Sequence, residues 1–307
     1  MSSPDPVLAT TLCGIRLRTP VLAASGTFAY GLEFASHLDL NELGGFVVKG
    51  LSREPIEGNA EPRLIETIEG MVNSVGLQNI GVRAFAAEKL PALAKLRTAV
   101  FANIFGYQTE DYVEVIRVLE DHPGLAGYEL NVSCPNTRHG GIYFSSDPAL
   151  LAEVVTAVKR VARRPVMVKL SPNVSAIEPL ARAAEENGAD AISLVNTFIS
   201  LAIDARTRRP RIGAGFGGLS GPAIKPIALR LVYQTAHAVK IPVVGMGGIA
   251  SGTDAAEFLI AGASAVEVGT ATFWDPRAPL RIARELADFA KMETVPNVSK
   301  LVNTLQM

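Results

Sequence analysis

The stretch Leu125-Ala126-Gly127-Tyr128-Glu129-Leu130 leads directly into Asn131-Val132-Ser133-Cys134-Pro135-Asn136. The first half is a mostly apolar run of the kind that forms a buried strand, and the second half is a polar turn that contains a proline. Functional groups gather where buried parallel strands end. We therefore interpret the stretch as a strand that carries two amides, a hydroxyl and a thiol to a site.

Seven further apolar runs occur along the chain. Together the eight runs cover residues 21–25, 45–49, 99–104, 127–132, 166–170, 191–196, 243–246 and 265–269. Continuous apolarity indicates strands that are covered on both faces, as in a parallel sheet. Helical patterns lie between the runs, and Asp147-Pro148 is typical of a helix start. The alternation predicts an α/β fold, a (β/α)8 (TIM) barrel that forms a single domain over residues 1–307. A doubly wound open sheet is the alternative.

Two connections are much longer than the others. They cover residues 51–78, after the second run, and residues 199–221, after the sixth. Long loops that lead from a strand to a helix belong to the C-terminal face of a barrel, where catalytic groups lie. We therefore expect both loops to lie over the site.

The composition argues against several classes of protein. The 307 residues contain 29 Lys and Arg against 30 Asp and Glu, a balance that argues against a nucleic-acid partner. Two cysteines, Cys13 and Cys134, fit a reducing cytosol better than a disulfide framework. No signal peptide and no apolar stretch of membrane-spanning length is read, so a cytoplasmic protein without a membrane partner is expected. The four histidines lack ligand spacing, and no metal site is predicted.

Lysine and asparagine stand at the ends of five of the eight runs. The residues are Lys49, Asn103, Asn131, Lys169 and Asn196, the last followed by Thr197. Amide and ammonium groups at the ends of apolar strands are costly unless they are hydrogen-bonded. Each one alone could cap a helix or reach solvent. A bound polar, planar ligand would satisfy all of them together.

Glycines follow the seventh and eighth runs. Gly247 and Gly248 follow the seventh, Gly269 closes the eighth, and residues 217–222 are either a third glycine wall or a flexible loop. Barrels commonly bind phosphate through backbone amides after these two strands. The pattern predicts a phosphorylated ring cofactor. Flavin mononucleotide (FMN) fits, with Lys169 facing the charge that collects at N1 and O2 on reduction, and pyridoxal phosphate is the alternative.

Seven motifs resemble those of the dihydroorotate dehydrogenases, the flavin enzymes of pyrimidine synthesis. The matching segments are residues 24–26, 73–79, 131–136, 168–172, 217–222, 247–249 and 268–270. They occur in family order between about Pro20 and Trp274. The resemblance implies an FMN-containing (β/α)8 barrel that oxidises (S)-dihydroorotate to orotate in the synthesis of UMP.

The resemblance also implies roles for individual residues. Those implied to line FMN are Ser25, Lys49, Gly50, Asn103, Asn131, Lys169, Val195, Gly221, Gly247, Gly248, Gly269 and Thr270. Those implied to hold the orotate ring are Lys49, Asn73, Ser74, Val75, Gly76, Leu77, Asn131, Asn196 and Thr197. Cys134 matches the base that removes a proton from C5 while C6 gives a hydride to FMN.

Cysteine at the position of the base is typical of class 1, the soluble enzymes. The segment after Asn196 resembles class 1B through Asp204, Thr207, Pro210 and residues 217–233. That class implies a homodimer joined to an electron-transfer subunit, a heterotetramer in which the partner holds FAD and a [2Fe-2S] cluster and reduces NAD+. The alternatives are a class 1A homodimer that uses fumarate, an FMN barrel like the tRNA-dihydrouridine synthases, and a phosphate-binding scaffold without turnover.

Three places depart from the family pattern. Gly50 stands in Lys49-Gly50-Leu51-Ser52 where Lys-Ala-Thr-Thr is usual, Phe105 replaces a small residue, and residues 198–200 replace a common Gly-Met pair. We expect local differences in the flavin contacts and in the partner-side contacts at these places.

Overall fold

A computed structural model describes residues 5–133, 135–136 and 142–307. Its centre is a closed barrel of parallel strands in which each strand pairs with its neighbours along the chain. The strands, numbered β1 to β8 here, are Val21–Ala23, Gly45–Leu51, Ala99–Ile104, Gly127–Asn131, Val166–Lys169, Ala191–Leu194, Val243–Met246 and Ala265–Val268. The eight predicted strands and the barrel are therefore confirmed, and the open sheet is wrong.

Helices alternate with the barrel strands. They are α1 (Val82–Ala84), which continues as a π-helical segment (Phe85–Lys89) into α2 (Leu90–Leu93), then α3 (Thr109–Glu120), α4 (Pro148–Lys159), α5 (Glu178–Glu186), α6 (Lys225–Ala238), α7 (Gly252–Ile260) and α8 (Ala278–Met292). Short 3-10 segments are Leu32–Phe34, Leu40–Glu42, Phe144–Ser146, Pro222–Ile224, Thr270–Phe273 and Val298–Leu301. Asp147 begins α4 as predicted, because its carboxylate accepts hydrogen bonds from the amides of Ala149 and Leu150. Within the described ranges, no helix has the length and apolarity needed to cross a membrane.

The barrel interior changes from apolar to polar along the strands. Near the N-terminal ends, Phe101 and Met167 belong to an apolar cluster that Leu12 and Leu17 complete. Those two leucines lie on a hairpin, Thr10–Leu12 with Ile15–Leu17, packed against this end of the barrel. Because side chains alternate between the two faces of a strand, the next inward residues lie two positions further on. They are polar and almost fully buried: Asn103, Glu129, Lys169, Ser193 and Glu267.

The two long loops pair with each other in an antiparallel sheet. Its strands, in spatial order, are Phe198–Leu201, Phe216–Ser220, Gly70–Asn73 and Leu64–Thr67. We call it the lid sheet. Gly218 pairs with Asn73, and a β-carbon at Gly218 would collide with the Thr197 side chain. Residues 216–220 are therefore a strand, and the flexible-loop interpretation of the glycine-rich segment is wrong over these residues.

Two small hairpins follow β6 and β4. Ile203–Asp204 pairs with Arg209–Pro210 beyond the lid sheet, and Pro135–Asn136 pairs with Ile142–Tyr143 after β4. The first hairpin is exposed on both strands. It therefore presents Asp204 and Pro210, two of the residues that carry the class 1B likeness, on the surface.

Candidate active site

A cavity of about 930 Å³ lies between the barrel mouth and the lid sheet. Its size is in the range of sites for cofactors and other small molecules. Every described residue that the sequence analysis assigned to FMN or orotate lines it: Ser25, Lys49, Gly50, Asn73, Ser74, Val75, Gly76, Leu77, Asn103, Asn131, Lys169, Val195, Asn196, Thr197, Gly221, Gly247, Gly248, Gly269 and Thr270. The structure thus brings the predicted residues together, while their individual roles stay predictions. Cys134 lies outside the described residues.

The ends of β7 and β8 form a glycine-walled part of this cavity. Gly247 and Gly248 have φ angles of 120° and 82°, which side chains rarely adopt. A β-carbon on Gly248 would lie 2.9 Å from the carbonyl oxygen of Gly221. The hydroxyl of Thr270 donates to that of Ser220 at 2.8 Å. The lack of side chains at Gly247 and Gly248 lets this backbone pack closely against neighbouring residues while it lines the cavity, so the residues fit the phosphorylated end of FMN.

Glu129 is the centre of the polar floor below the mouth. Its carboxylate accepts hydrogen bonds from Asn103 Nδ2 at 2.6 Å, Ser193 Oγ at 2.8 Å and Ser25 Oγ at 3.3 Å. Lys169 Nζ lies 3.6 Å from the same carboxylate and donates to Ser25 Oγ at 3.2 Å. Since Glu129 is fully buried, these bonds hold Lys169 and Asn103 in fixed positions. Lys169 therefore does not reach solvent. The alternative interpretation, in which a lysine at a strand end extends into solvent, is wrong for this residue.

An amide cluster joins the ends of β4 and β6. Asn131 Oδ1 accepts hydrogen bonds from the Ser133 amide at 3.2 Å and from Asn196 Nδ2 at 3.3 Å. Asn196 Nδ2 also donates to Ser133 Oγ at 3.1 Å, and the Thr197 amide donates to Asn196 Oδ1 at 2.8 Å. From behind, Tyr112 Oη donates to the Asn131 carbonyl at 2.8 Å. The cluster thus orients two candidate substrate-binding amides and the backbone that leads into residue 134.

Arg63 is a cavity residue that sequence reasoning missed. It precedes the lid strand Leu64–Thr67 and lines the cavity together with Lys49. Burial lowers the pKa of Lys49, and the charge of Arg63 lowers it further. Two cations that line one cavity favour an anionic ligand, and a carboxylate has the geometry that a guanidinium binds. The sequence feature that could have identified Arg63 as a cavity residue is its position within the long loop 51–78.

Asn79 supports the cavity wall from behind. Its Oδ1 accepts from the amides of Ser52 at 3.3 Å and Gly81 at 2.8 Å. Its Nδ2 donates to the carbonyl of Leu77 at 2.9 Å and to Ser52 Oγ at 2.8 Å. The side chain is buried and does not line the cavity. It therefore fixes the segment that presents residues 73–77.

The fold and this cavity define the class of protein, a (β/α)8 barrel with a cavity at its mouth that fits a phosphorylated ring cofactor. Comparison with known sequences gives the family. Residues 7–290 match the model of the family described as Dihydroorotate dehydrogenase. The chain therefore belongs to the dihydroorotate dehydrogenase family, whose members are FMN oxidoreductases.

Three relatives are similar over nearly their whole length. A protein of Solibacter usitatus (strain Ellin6076), provisionally named dihydroorotate dehydrogenase A (fumarate), is 80% identical over 301 residues, which are 98% of this chain and 99% of the relative. The dihydroorotate dehydrogenase B (NAD(+)) catalytic subunit of Pelobacter propionicus (strain DSM 2379 / NBRC 103807 / OttBd1) is 50% identical with the same coverage. Its namesake in Geobacter sp. (strain M21) is 49% identical over 307 residues, all of both chains. The names of these relatives include both acceptor classes.

Proposed function

We propose that this protein oxidises (S)-dihydroorotate to orotate in the pathway to UMP. One observation carries the proposal: all the described residues implied by the family motifs to hold FMN or orotate line one cavity of the barrel. Bound FMN supplies the acceptor, at N5, for the hydride that leaves C6 of the substrate. The chain's own residues bind FMN and the substrate, orient the substrate, and remove its C5 proton.

Two parts of the cavity hold the cofactor. Gly247, Gly248, Gly269 and Thr270 would hold the phosphate, because they line one side of the cavity and backbone amides bind phosphate. Lys169 lies at the floor, where its charge stabilises the negative charge that reduction adds to the ring. Glu129 holds the ammonium in that place.

The opposite wall holds the substrate. Asn131 and Asn196 hydrogen-bond the pyrimidine ring, and Asn73 does so from the lid sheet, where its Nδ2 also donates to the Gly218 carbonyl at 3.3 Å. Lys49 and Arg63 offset the charge of the substrate carboxylate. The lid sheet covers the mouth, so it limits the access of water to the reacting atoms.

Cys134 is the base that takes the C5 proton in this proposal. It follows Ser133, whose amide and hydroxyl are bonded to Asn131 and Asn196. A free thiol has a pKa of about 8.5, and the thiolate is the form that accepts a proton. Turnover should therefore rise as the pH increases above neutrality.

The experiment is an anaerobic reduction of the purified protein. A yellow protein whose flavin absorbance is bleached by dihydroorotate, with orotate as the product, supports the function. A colourless protein that binds no added FMN, or a bound flavin that dihydroorotate leaves oxidised, contradicts it.

We further propose that the electrons pass to NAD+ through a partner subunit with FAD and a [2Fe-2S] cluster. The relatives at about 50% identity named as class B catalytic subunits support this, as does the exposure of the hairpin that carries Asp204 and Pro210. The relative named for fumarate, at 80% identity, favours the second candidate, a class 1A homodimer. NAD+ reduction that requires such a subunit supports class 1B, whereas fumarate turnover by the chain alone supports class 1A.

A further inference from the structure

Glu267 is a carboxyl group in the barrel interior that the proposed reaction does not use. It lies on β8 between Val266 and Val268, and it is fully buried. Neither of its carboxyl oxygens has a hydrogen-bond partner among the described residues. A carboxylate in such a place would carry its charge without any of the donors that normally stabilise it.

The charged groups that face Glu267 are Glu129 on β4 and Lys169 on β5. β4 and β8 stand on opposite sides of the barrel, and side chains from alternate strands meet in layers at its centre. Glu129 already faces the one ammonium group of this set and accepts three hydrogen bonds. If Glu267 were ionised, two carboxylates would share a single cation in the dry interior.

We propose that Glu267 carries a proton and shares it with Glu129, which makes Glu267 a positioning residue for the flavin-facing groups Lys169 and Asn103. A protonated carboxyl is a donor, and Glu129 is an acceptor, so one proton gives one Glu267 oxygen a hydrogen-bond partner and removes the second buried negative charge. The cluster of Glu129, Glu267 and Lys169 then has no net charge. Burial and the neighbouring Glu129 carboxylate both raise the pKa of Glu267 well above its ordinary value, in agreement with this arrangement.

The consequence for the flavin rests on the proposed function. With Glu267 neutral, the Lys169 charge is opposed by one carboxylate only, and the floor places no excess negative charge below the ring. An ionised Glu267 would add such a charge and would lower the flavin reduction potential. The protonation itself follows from the barrel interior and does not depend on FMN.

The first test compares wild type with Glu267→Gln in urea unfolding, from about pH 5 to about pH 9. Glutamine has the shape of the protonated acid and keeps a donor. In wild type the unfolded chain ionises Glu267 above its ordinary pKa while the folded chain keeps the proton. The wild-type unfolding constant should therefore rise, relative to the variant, by up to about tenfold per pH unit. Parallel pH dependences would overturn the proposal. An infrared carbonyl band of a protonated acid that disappears in the variant would support it directly.

The second test adds FMN and includes Glu267→Met, which fills similar space without a donor. Wild type and Glu267→Gln should have the same flavin potential near neutral pH, whereas Glu267→Met should bind FMN more weakly or shift its potential. A higher potential in Glu267→Gln than in wild type would show that a negative charge had been removed, and the proposal would be wrong. If the chain binds no FMN, the proposed function fails, and the urea comparison still decides the protonation state.

Discussion

The ring of Phe105 occupies the space beside Gly50. A β-carbon on Gly50 would lie 3.1 Å from Phe105 Cδ1 and 2.8 Å from Asn103 Oδ1. Both positions depart from the family pattern, and in this protein the two departures lie against each other. The large side chain of Phe105, which follows β3, is accommodated because Gly50 in β2 has no side chain at the facing position.

We expect Gly50→Ala to weaken FMN binding, because the added methyl group must displace Phe105 or Asn103. Overpacking of this kind costs about 1–3 kcal/mol, which corresponds to roughly 5- to 150-fold in the dissociation constant. Gly50→Ala with Phe105→Ala should recover part of the loss, because it removes the contact with the ring and leaves the one with Asn103. Titration of FMN fluorescence measures the dissociation constants of the single and the double variant. Gly213→Ala is the matched control, since its β-carbon would make only ordinary contact, 3.4 Å from the Glu61 carbonyl oxygen. A double variant as weak as the single one would contradict the coupling.

Lys169→Met should destabilise the protein and also lower the flavin reduction potential. Removing the ammonium leaves the Glu129 carboxylate buried without a cation, which costs roughly 3–5 kcal/mol. Adding Glu129→Gln should restore most of the stability, and because it also removes the opposing carboxylate charge it should recover part of the potential. Urea unfolding and redox titration separate the two effects. An unchanged potential in Lys169→Met would refute the role of this lysine at the flavin.

The Cys134→Ala variant should still bind FMN. Dihydroorotate should reduce its flavin far more slowly, because the proton at C5 loses its acceptor. Stopped-flow absorbance measures the rate. Cys13→Ala is the control, since burial raises the pKa of Cys13 to about 11 and its thiol donates to the Asp190 carbonyl at the far end of the barrel. Equal reduction rates in wild type and Cys134→Ala would exclude the base assignment.

Asn79→Ala should raise the KM for dihydroorotate several-fold and leave FMN affinity nearly unchanged. The substitution removes the hydrogen bond that holds Leu77 on the substrate side of the cavity, together with the three that tie Asn79 to Ser52 and Gly81. A loss of about 2–4 kcal/mol in stability is also expected, because buried partners stay unsatisfied. Steady-state kinetics and FMN titration distinguish this outcome from a general loss of folding, which would reduce both affinities alike.

Orotate binding should weaken at alkaline pH when Lys49 loses its proton, and we call the pH at which this happens the alkaline limit. Arg63→Gln should move this limit to higher pH. The pKa of Lys49 is lowered by burial and by Arg63, so Lys49 loses its proton at a lower pH than an ordinary lysine. Without Arg63 that pKa rises, and the cationic form of Lys49 persists to higher pH. Orotate titrations across the alkaline range measure the limit. Arg83→Gln, on an exposed arginine that pairs with Glu54 and Glu114, is the control. A limit that stays in place would show that Lys49 does not control it.

The strand order and the position of the cavity could be predicted because both follow from the eight apolar runs that repeat along the sequence. Each apolar run ends in a residue that the barrel points at one mouth, so Lys49, Asn131 and Lys169 could be placed without any knowledge of long-range contacts. The loops 51–78 and 199–221 could be assigned to the same face for the same reason.

The lid sheet and the polar floor were harder to predict. Residues 216–220 contain two glycines and have no strand-like alternation, so their pairing with Gly70–Asn73 depends on a partner far away in the chain. Glu129 and Glu267 are single charged residues within otherwise apolar runs. Only the two-residue period, which links Glu129 to Asn131 and Glu267 to Gly269, indicated that they face inward.

The lid sheet also bears on the order in which this chain folds. Asn73 and Gly218 are 145 positions apart, whereas the barrel strands pair with the next strand along the chain except where β8 closes the barrel on β1. Pairing between such distant segments pays a larger loop-closure entropy, and it requires the second and sixth units to be in place already. We therefore expect a newly synthesised chain to pair its consecutive strands β3 to β6 before it adds the lid sheet, so that Lys169 and Glu129 are in place before any substrate can be enclosed.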